Sequence, residues 1–329
     1  MSAGRLVAGV ATAGVLAAGL ATVVPLGAGA WPLAQVVALR GLVALLAALA
    51  AAALLVVLAL VRRARRALLP LAVACAAVAV AQVAVLAVRS VPTTGTGPTA
   101  ASAASGPGAD LVVLTFNTLD AVPAATLATL VTDVDADVVA LPETSASTAE
   151  ALADLLPADG WQVHHAASTV PGIAGTSLLV AHHVGTYPQA QSLDNRLGTL
   201  LARPDGDGPV LVAAHPLAPT VRGAMPAWRA EGRVVADACR STPDVVVAGD
   251  LNATLDHPAL RDTAPCVDAA RAAGEAAQGT WPAAAPTLLS APIDHVLVDD
   301  RAWRVVDAEV LPAVGASDHR PLVAVLARR

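Results

Sequence analysis

At 329 residues the chain is long enough for one large domain or two smaller ones. Hydrophobic residues make up 56% of it, too many for an ordinary soluble protein, so membrane-crossing segments must be sought first. Charge argues against a second class: residues 110–329 hold all 26 acids against 13 Arg, and no basic stripe that could grip a phosphate backbone is visible. The chain has no Lys, which with its abundant Ala, Val and Arg reads as the codon bias of a high-GC genome.

Leu6–Ala28 is uncharged, apolar and long enough to span a bilayer. Gly41–Val61 and Ala67–Val88 are two more such runs, so transmembrane helices are predicted over about residues 6–28, 41–61 and 67–88. Ala28-Gly29-Ala30 resembles a small-residue cleavage site, which leaves a removed signal segment as the alternative for the first run. Arg62, Arg63, Arg65 and Arg66 come directly after the second run, and the positive-inside rule assigns that loop to the cytoplasm. Everything beyond Arg89 is then expected outside the cytoplasm of a bacterial cell, with or without the first segment. Arg40 fits poorly and is expected to snorkel to the outer interface. Residues 1–90 thus read as a membrane domain. Residues 91–109, VPTTGTGPTAASAASGPGA, read as a flexible linker that tethers residues 110–329 without fixing their pose.

From Asp110 to Arg329 strand-like and helix-like segments alternate. Strands are predicted at Leu111–Phe116, Asp137–Leu141, Trp161–His165, Ser177–His182, Val210–Ala214, Val245–Ala248, Ile293–Val298, Arg304–Val310 and Leu322–Leu326. Helices are predicted at Pro123–Thr132, Ser147–Leu156 and Ala227–Arg240. Buried strands joined by both helices and hairpins suggest an α/β fold of mixed sheets with helices outside. Cys75 lies in a membrane run and reads as packing. Cys239 and Cys266 flank the stretch VAGDLNAT, and outside the cytoplasm such an even pair reads as a disulfide.

Several strands end in a polar residue where a turn residue would suffice. Asn117 ends the first, Glu143 comes after the second, His215 ends another, and Asp250 and Asn252 end VVVAGDLN. Asp294 opens a late strand, and Ser317-Asp318-His319-Arg320-Pro321 precedes the last. In this order the residues resemble the endonuclease/exonuclease/phosphatase superfamily, the metal-dependent fold of DNase I-like nucleases, inositol-phosphate phosphatases and sphingomyelinases. The resemblance covers about Asp110–Arg329 and is most specific at GDLN and SDHRP. It implies a four-layer α/β sandwich, two mixed sheets flanked by helices, with the site at the sheet ends. The three preceding membrane runs make the plan similar to a membrane-anchored subgroup of the VanJ teicoplanin-resistance type.

Phosphoester hydrolysis gathers negative charge on phosphorus, and a divalent cation offsets it. Mg²⁺ is the expected ion and Mn²⁺ the alternative; Mg²⁺ takes oxygen ligands and keeps several waters, so few protein groups suffice. Glu143 is the natural carboxylate ligand and Asn117 can supply an amide oxygen beside it, and the resemblance implies that Asp318 lies by the metal. The resemblance implies that Asp250 orients or deprotonates the attacking water and that Asn252 donates to a phosphoryl oxygen. It implies that His319, held by Asp294 and favoured as the cation, faces the phosphate, with His215 opposite.

One departure is Leu119 where many nucleases of this family carry a second acid, which argues against a two-metal site. The loops also lack gripping Arg and aromatics, and Tyr187 is the only Tyr. His164-His165 and His182-His183 point to opposite strand faces and read as filler. Asp205-Gly206-Asp207-Gly208 reads as a hairpin turn rather than a calcium loop. Trp281 either lines the mouth of the site or packs under its loop. The expected function is an extracytoplasmic, membrane-anchored phosphoesterase acting on a phosphate or pyrophosphate ester, with a lipid-linked substrate of the undecaprenyl pyrophosphate type. An extracellular nuclease and an inactive phospho-ligand sensor are the alternatives.

Overall fold

A computed structural model describes residues 3–93, 110–157 and 160–329. The chain opens with α1 (Ala3–Val23), a short α2 (Leu33–Ala38), α3 (Arg40–Leu60) and α4 (Arg65–Arg89). Among the described residues three helical stretches, Leu6–Val23, Arg40–Leu60 and Arg62–Arg89, are long and apolar enough to cross a membrane. Helix α4 packs against both α1 and α3. Small residues make the seams: Ala44 and Ala51 of α3 and Ala72, Ala74, Cys75 and Ala79 of α4 are buried. Larger aliphatics such as Leu46, Leu49, Val73 and Val80 face outward.

The first helix stops at Val23, short of the Ala28 expected from hydropathy. Pro25 explains the early end, because it lacks an N–H and drives its predecessor out of the helical region. Residues 24–32 form turns instead, and α2 comes next.

The remainder runs β1 (Leu111–Thr115), α5 (Ala124–Asp133), β2 (Val138–Leu141), α6 (Ala146–Leu155), β3 (Trp161–Ala166), β4 (Thr176–Ala181), β5 (Ala190–Ser192), β6 (Leu200–Ala202), β7 (Val210–Ala214) and α7 (Met225–Ser241). It continues with β8 (Val245–Asp250), α8 (Pro258–Arg261), β9 (Cys266–Asp268), α9 (Ala269–Ala273), β10 (Asp294–Asp299), β11 (Trp303–Val310) and β12 (Leu322–Arg328). Two six-stranded sheets result, ordered β11-β12-β1-β2-β4-β3 and β5-β6-β7-β8-β10-β9. Each is mixed: β1–β2 and β7–β8 are parallel, and the other pairs are antiparallel. The three-residue strands β5, β6 and β9 are absent from the sequence-based expectation; they are too short to show a period and exist only because a neighbour supplies their ladder.

The sheets face each other across one core. Leu111, Val113, Val138 and Leu178 of the first meet Leu211, Val246 and Val296 of the second. Alternate residues point the other way, so Val112, Leu114, Val139 and Leu179 pack under Leu127, Val131 and Leu152 of α5 and α6. Val212, Val245, Val247 and Leu297 pack under Trp228, Val235 and Cys239 of α7. Burial on both faces is why these strands read as unbroken apolar runs. The architecture is a four-layer α/β sandwich. Cys239 at the end of α7 is bonded to Cys266 of β9, with Cα atoms 5.6 Å apart. The bridge closes a loop that contains β8 and is worth about 3 kcal/mol in the chain-entropy picture.

Strand direction positions the site. The C-terminal ends of the parallel pairs, at Asn117, Glu143, His215 and Asp250, lie at one end of the two sheets. Strands β10 and β12 run antiparallel to β8 and β1, so their N-terminal ends, at Asp294 and just after His319, lie at that same end.

Two expectations for the N-terminal part need correction. Arg40 does not snorkel: it is 3% exposed, and its guanidinium forks onto both oxygens of Asp256 at 2.7 and 2.6 Å. It also donates to Gln82, which donates to Thr22, and Arg89 joins Asp256 at 2.8 Å. A carboxylate from a distant loop makes burial of this charge tolerable, and no span-by-span reading can anticipate it. Nor do the helices leave the sandwich free. His257 Nε2 donates to Ala34 O at 2.9 Å, Arg229 to Gly29 O at 2.6 Å, Gln35 to Pro219 O and Arg261 to Pro25 O. Residues 94–109 of the expected linker lie outside the described residues, while Thr93 N donates to Ala272 O at 2.9 Å.

Candidate active site

Strand β8 presents Asp250 through a backbone that only Gly249 permits. Gly249 lies opposite Ala214 in the β7–β8 ladder with φ +156°, and a Cβ there would meet Ala214 O at 1.9 Å. Asp250 is 2% exposed. Its Oδ1 accepts from Asn252 N at 2.8 Å and its Oδ2 from Asn117 Nδ2 at 3.1 Å. The Nε2 atoms of His215 and His319 each stand 3.7 Å from Oδ2.

Asp294 is the direct cross-strand partner of Asp250, so both carboxylates project from one sheet face. Burial, and then Asp294, hold Asp250 above the usual carboxylate range. Asp294 Oδ2 accepts from His319 Nδ1 at 2.8 Å, and its buried Oδ1 has no partner among the described residues. Burial alone would lower His319, but Asp294 and Asp250 outweigh it and push it up to about 10. His215 is the opposite case. Its fully buried ring is pushed down to about 4 despite Asp250, so it is neutral near pH 7. Two imidazoles thus flank one carboxylate in different charge states.

Glu143 completes the cluster. Its Oε1 accepts from Asn117 Nδ2 at 3.0 Å and lies 3.9 Å from His215 Nε2, and burial raises its pKa. Asn117 meets both carboxylates as a donor, while its Oδ1 accepts Leu119 N–H at 3.0 Å. Asn252 Nδ2 donates to Pro216 O at 3.0 Å, leaving its second amide hydrogen free of that bond. Leu119, Asp120, Glu143 and Asn252 all have positive φ near +50°, a left-handed backbone concentrated around the site. Asp318 sits at the rim, half-exposed, with Oδ1 4.0 Å from His319 Nε2. All eight residues singled out at strand ends therefore converge on one mouth.

Further residues hold this set and carry no strand-end signal. Thr199 Oγ1 accepts from His215 N at 2.9 Å. Ser317 Oγ donates to Asn117 O at 2.7 Å and accepts from His319 N at 3.0 Å. Trp228 Nε1 donates to Asn252 O at 2.9 Å. His295 binds Asp268 at 2.7 Å and Ala253 O at 2.9 Å; with an acceptor on each nitrogen it is the imidazolium. Trp281 Nε1 donates to Asp318 Oδ2 at 2.8 Å with 38% of the residue exposed, so Trp281 lines the mouth. Arg320 turns away and donates to Gly279, Ala283 and Ala285 carbonyls, holding the loop that carries Trp281. The discounted motifs stay apart: His165 bonds Ser177, His183 bonds Asp137, and Asp205–Gly208 joins β6 to β7.

The donor set fits a hard divalent cation. Among the described residues Asp250, Asp294 and Glu143 cluster with His319 as their cationic neighbour, and Asp294 Oδ1 is unsatisfied. Asp250, Asp294 and His319 bring one ligand atom each within 4.8 Å of one another. His319, however, is already committed to Asp294 as a cation and has no lone pair to give, so an ion at this mouth would take oxygen ligands.

No curated protein sequence matches the chain. Its fold is similar to an endonuclease/exonuclease/phosphatase from Bacteroides vulgatus (18% identity, TM-score 0.51, 67% of this chain and 99% of that one). It is similar also to humanized D. rerio TDP2 (16%, 0.52, 66% and 98%) and to the human Nocturnin catalytic domain (16%, 0.50, 67% and 93%). The model of the Endonuclease/Exonuclease/phosphatase family matches residues 114–319, well over half of the chain and every site residue named above. With two facing mixed sheets and an acid–imidazole cluster at their shared end, the chain belongs to the endonuclease/exonuclease/phosphatase family of phosphoric ester hydrolases.

Proposed function

We propose that the chain is a membrane-anchored phosphoesterase, built as a membrane domain (1–90), a linker (91–109) and an extracytoplasmic catalytic domain (110–329), acting on a phosphate or pyrophosphate ester at the membrane surface. A lipid-linked substrate of the undecaprenyl pyrophosphate type fits best, as the plan of the VanJ-type subgroup also suggests. One observation carries the reading: the sandwich is bonded to the ends of α1, α3 and α4 that lie away from Arg62–Arg66. With that arginine cluster cytoplasmic by the positive-inside rule, the sandwich is outside. The acidic sandwich weighs against a nucleic-acid strand, and neither Phe nor Tyr is available to stack a base. Phe116 is fully buried, and Tyr187 is buried with its hydroxyl on Pro209 O.

In this reading Asp250 accepts or orients the proton of the attacking water at the buried centre of the cluster. His319 stays cationic, held by Asp294, and stabilises charge that develops on the phosphoryl group. His215, neutral, and Asn252 offer hydrogens from the other side. Glu143 and Asp318, with the Asn117 amide turned to present its oxygen, would hold a divalent ion, Mg²⁺ here, which neutralises phosphate oxygens when bound.

The test is hydrolysis by the purified full chain of a vesicle-borne lipid pyrophosphate, a soluble nitrophenyl phosphoester and plasmid DNA, with Mg²⁺ and with chelator. Release of phosphate from the lipid, lost on chelation and without DNA nicking, is expected. DNA cleavage without lipid hydrolysis would establish the nuclease alternative. Ligand binding with no hydrolysis of any member would establish the sensor.

A further inference from the structure

The loop Thr280–Ile293, TWPAAAPTLLSAPI, contains no charged residue within a region that otherwise carries 26 acids and 13 Arg. It is not a floppy insertion. Arg320 donates to Gly279 O at 3.2 Å, to Ala283 O at 2.7 Å and to Ala285 O. Ser290 Oγ donates to Pro282 O at 2.9 Å and Pro286 O at 3.1 Å. Its two ends have different neighbours. At one, Trp281 is bonded to Asp318 at the rim of the site. At the other, the Thr287–Leu289 turn lies flush on the first turn of α3, so close that a Cβ at Gly41 would stand 1.6 Å from Leu288 O.

That second contact sets a depth. Helix α3 spans 21 residues, roughly 30 Å at 1.5 Å per residue, the thickness of a hydrocarbon core. If α3 spans a bilayer, its first residues lie at the interface, and Leu288, 50% exposed, lies there with them. Other residues at the junction have the same character. Trp31 is 49% exposed, and Val221 is 59% exposed two residues beyond the Pro219 carbonyl bonded by Gln35. Apolar side chains in water here would be a liability, whereas Trp and Leu at a bilayer interface are at home.

We infer that Thr280–Ile293 is a lipid-contacting lip: it rests on the outer leaflet and takes the hydrocarbon next to the phosphate of a lipid-linked substrate, guiding that phosphate from the bilayer past Trp281 to Asp318. The inference rests on the membrane reading above and narrows its substrate class to a lipid phosphoester entering from the membrane side. The docked helices make this geometry permanent, since Arg40, Arg89 and Asp256 hold the sandwich in one pose.

Two measurements on the full chain test it. In the first, Leu288→Asp is assayed on a vesicle-borne lipid pyrophosphate and on a soluble nitrophenyl phosphoester. The lipid rate falls about tenfold, the worth of one buried Leu, and the soluble rate stays within about twofold. In the second, a Cys75→Ala background carries an environment-sensitive label at Leu288→Cys or at Asp205→Cys, the latter in the β6–β7 turn far from the site. Dibrominated phosphatidylcholine quenches the Leu288 label and not the Asp205 label. Equal quenching at both positions, or an unchanged lipid rate with the Asp substitution, overturns the lip and leaves the active-site assignment intact. A wild-type chain that cleaves the soluble ester but no lipid removes the lipid substrate itself, and the lip falls with it.

Discussion

Two buried polar clusters stand a few residues apart on the chain, and they are built on opposite rules. At the junction Arg40, Arg89, Gln82, Thr22 and Asp256 satisfy one another, with two guanidinium groups shared by one carboxylate. At the site Asp250, Asp294 and Glu143 crowd together around a single cationic imidazole, and His215 Nδ1 and Asp294 Oδ1 have no partner among the described residues. The junction is complete without a ligand and so serves structure. The site is left short of positive charge and of hydrogen-bond partners, which is what a phosphoester and its cation would supply. Buried ionic groups are thus no mark of function in themselves; the mark is the unmet demand.

The contrast predicts different losses. Asp250→Ala is expected to lower phosphoester hydrolysis about 10³-fold, the scale of a general base, with an unchanged or raised melting temperature because a crowded carboxylate has gone. Thermal unfolding in detergent alongside the rate checks both halves. Asp256→Ala should do the reverse, costing roughly 3–5 kcal/mol of stability by leaving two guanidinium groups buried without a counter-charge. Replacing Arg40, Arg89 and Asp256 together by apolar residues of similar size should recover most of that loss, as replaced buried ion clusters commonly do. If the single and triple variants are equally unstable, the junction is not an ionic lock.

Gly249→Ala links the two clusters' neighbourhoods through the backbone. A Cβ 1.9 Å from Ala214 O forces the β7–β8 ladder apart and should cost roughly 1–3 kcal/mol, with activity falling because His215 and Asp250 end those two strands. Equal stability and rate would show that the ladder gives way freely. The smallest effect concerns pH. Burial raises Asp256, but Arg40 and Arg89 outweigh it and hold the folded-state pKa below the usual value. A depressed carboxylate stabilises fully above its unfolded value of about 4 and loses that contribution as pH falls through the folded value. The wild-type melting temperature should therefore decline below pH 4 more steeply than that of the triple apolar variant.

Much of this architecture is legible in the chain read residue by residue. Three apolar runs with RRARR between two of them need only local composition. Strand ends bearing Asn117, Glu143, His215, Asp250, Asp294 and His319 need only the junction of an apolar run with one polar residue. Cys239 and Cys266 need only their spacing and context. Arg40 is misread because its partner lies 216 residues away, and local hydropathy treats an unmatched charge as one that must escape to water. The linker reads as leaving the pose open because the bonds that set the pose lie on either side of it. Trp281 cannot be assigned from its loop, since lining the mouth and packing beneath it use the same residue type.

By itself, then, the sequence determined the longer strands and helices and which polar residues stand at strand ends, because hydrophobic period and strand-end polarity are properties of short segments. Only the tertiary structure decided that β8 and β10 set two carboxylates side by side, that burial pushes His215 down while Asp294 and Asp250 push His319 up, and that one loop touches both Asp318 and the start of α3. Those outcomes depend on burial, register and charge partners brought together from distant parts of the chain, and no short segment contains them.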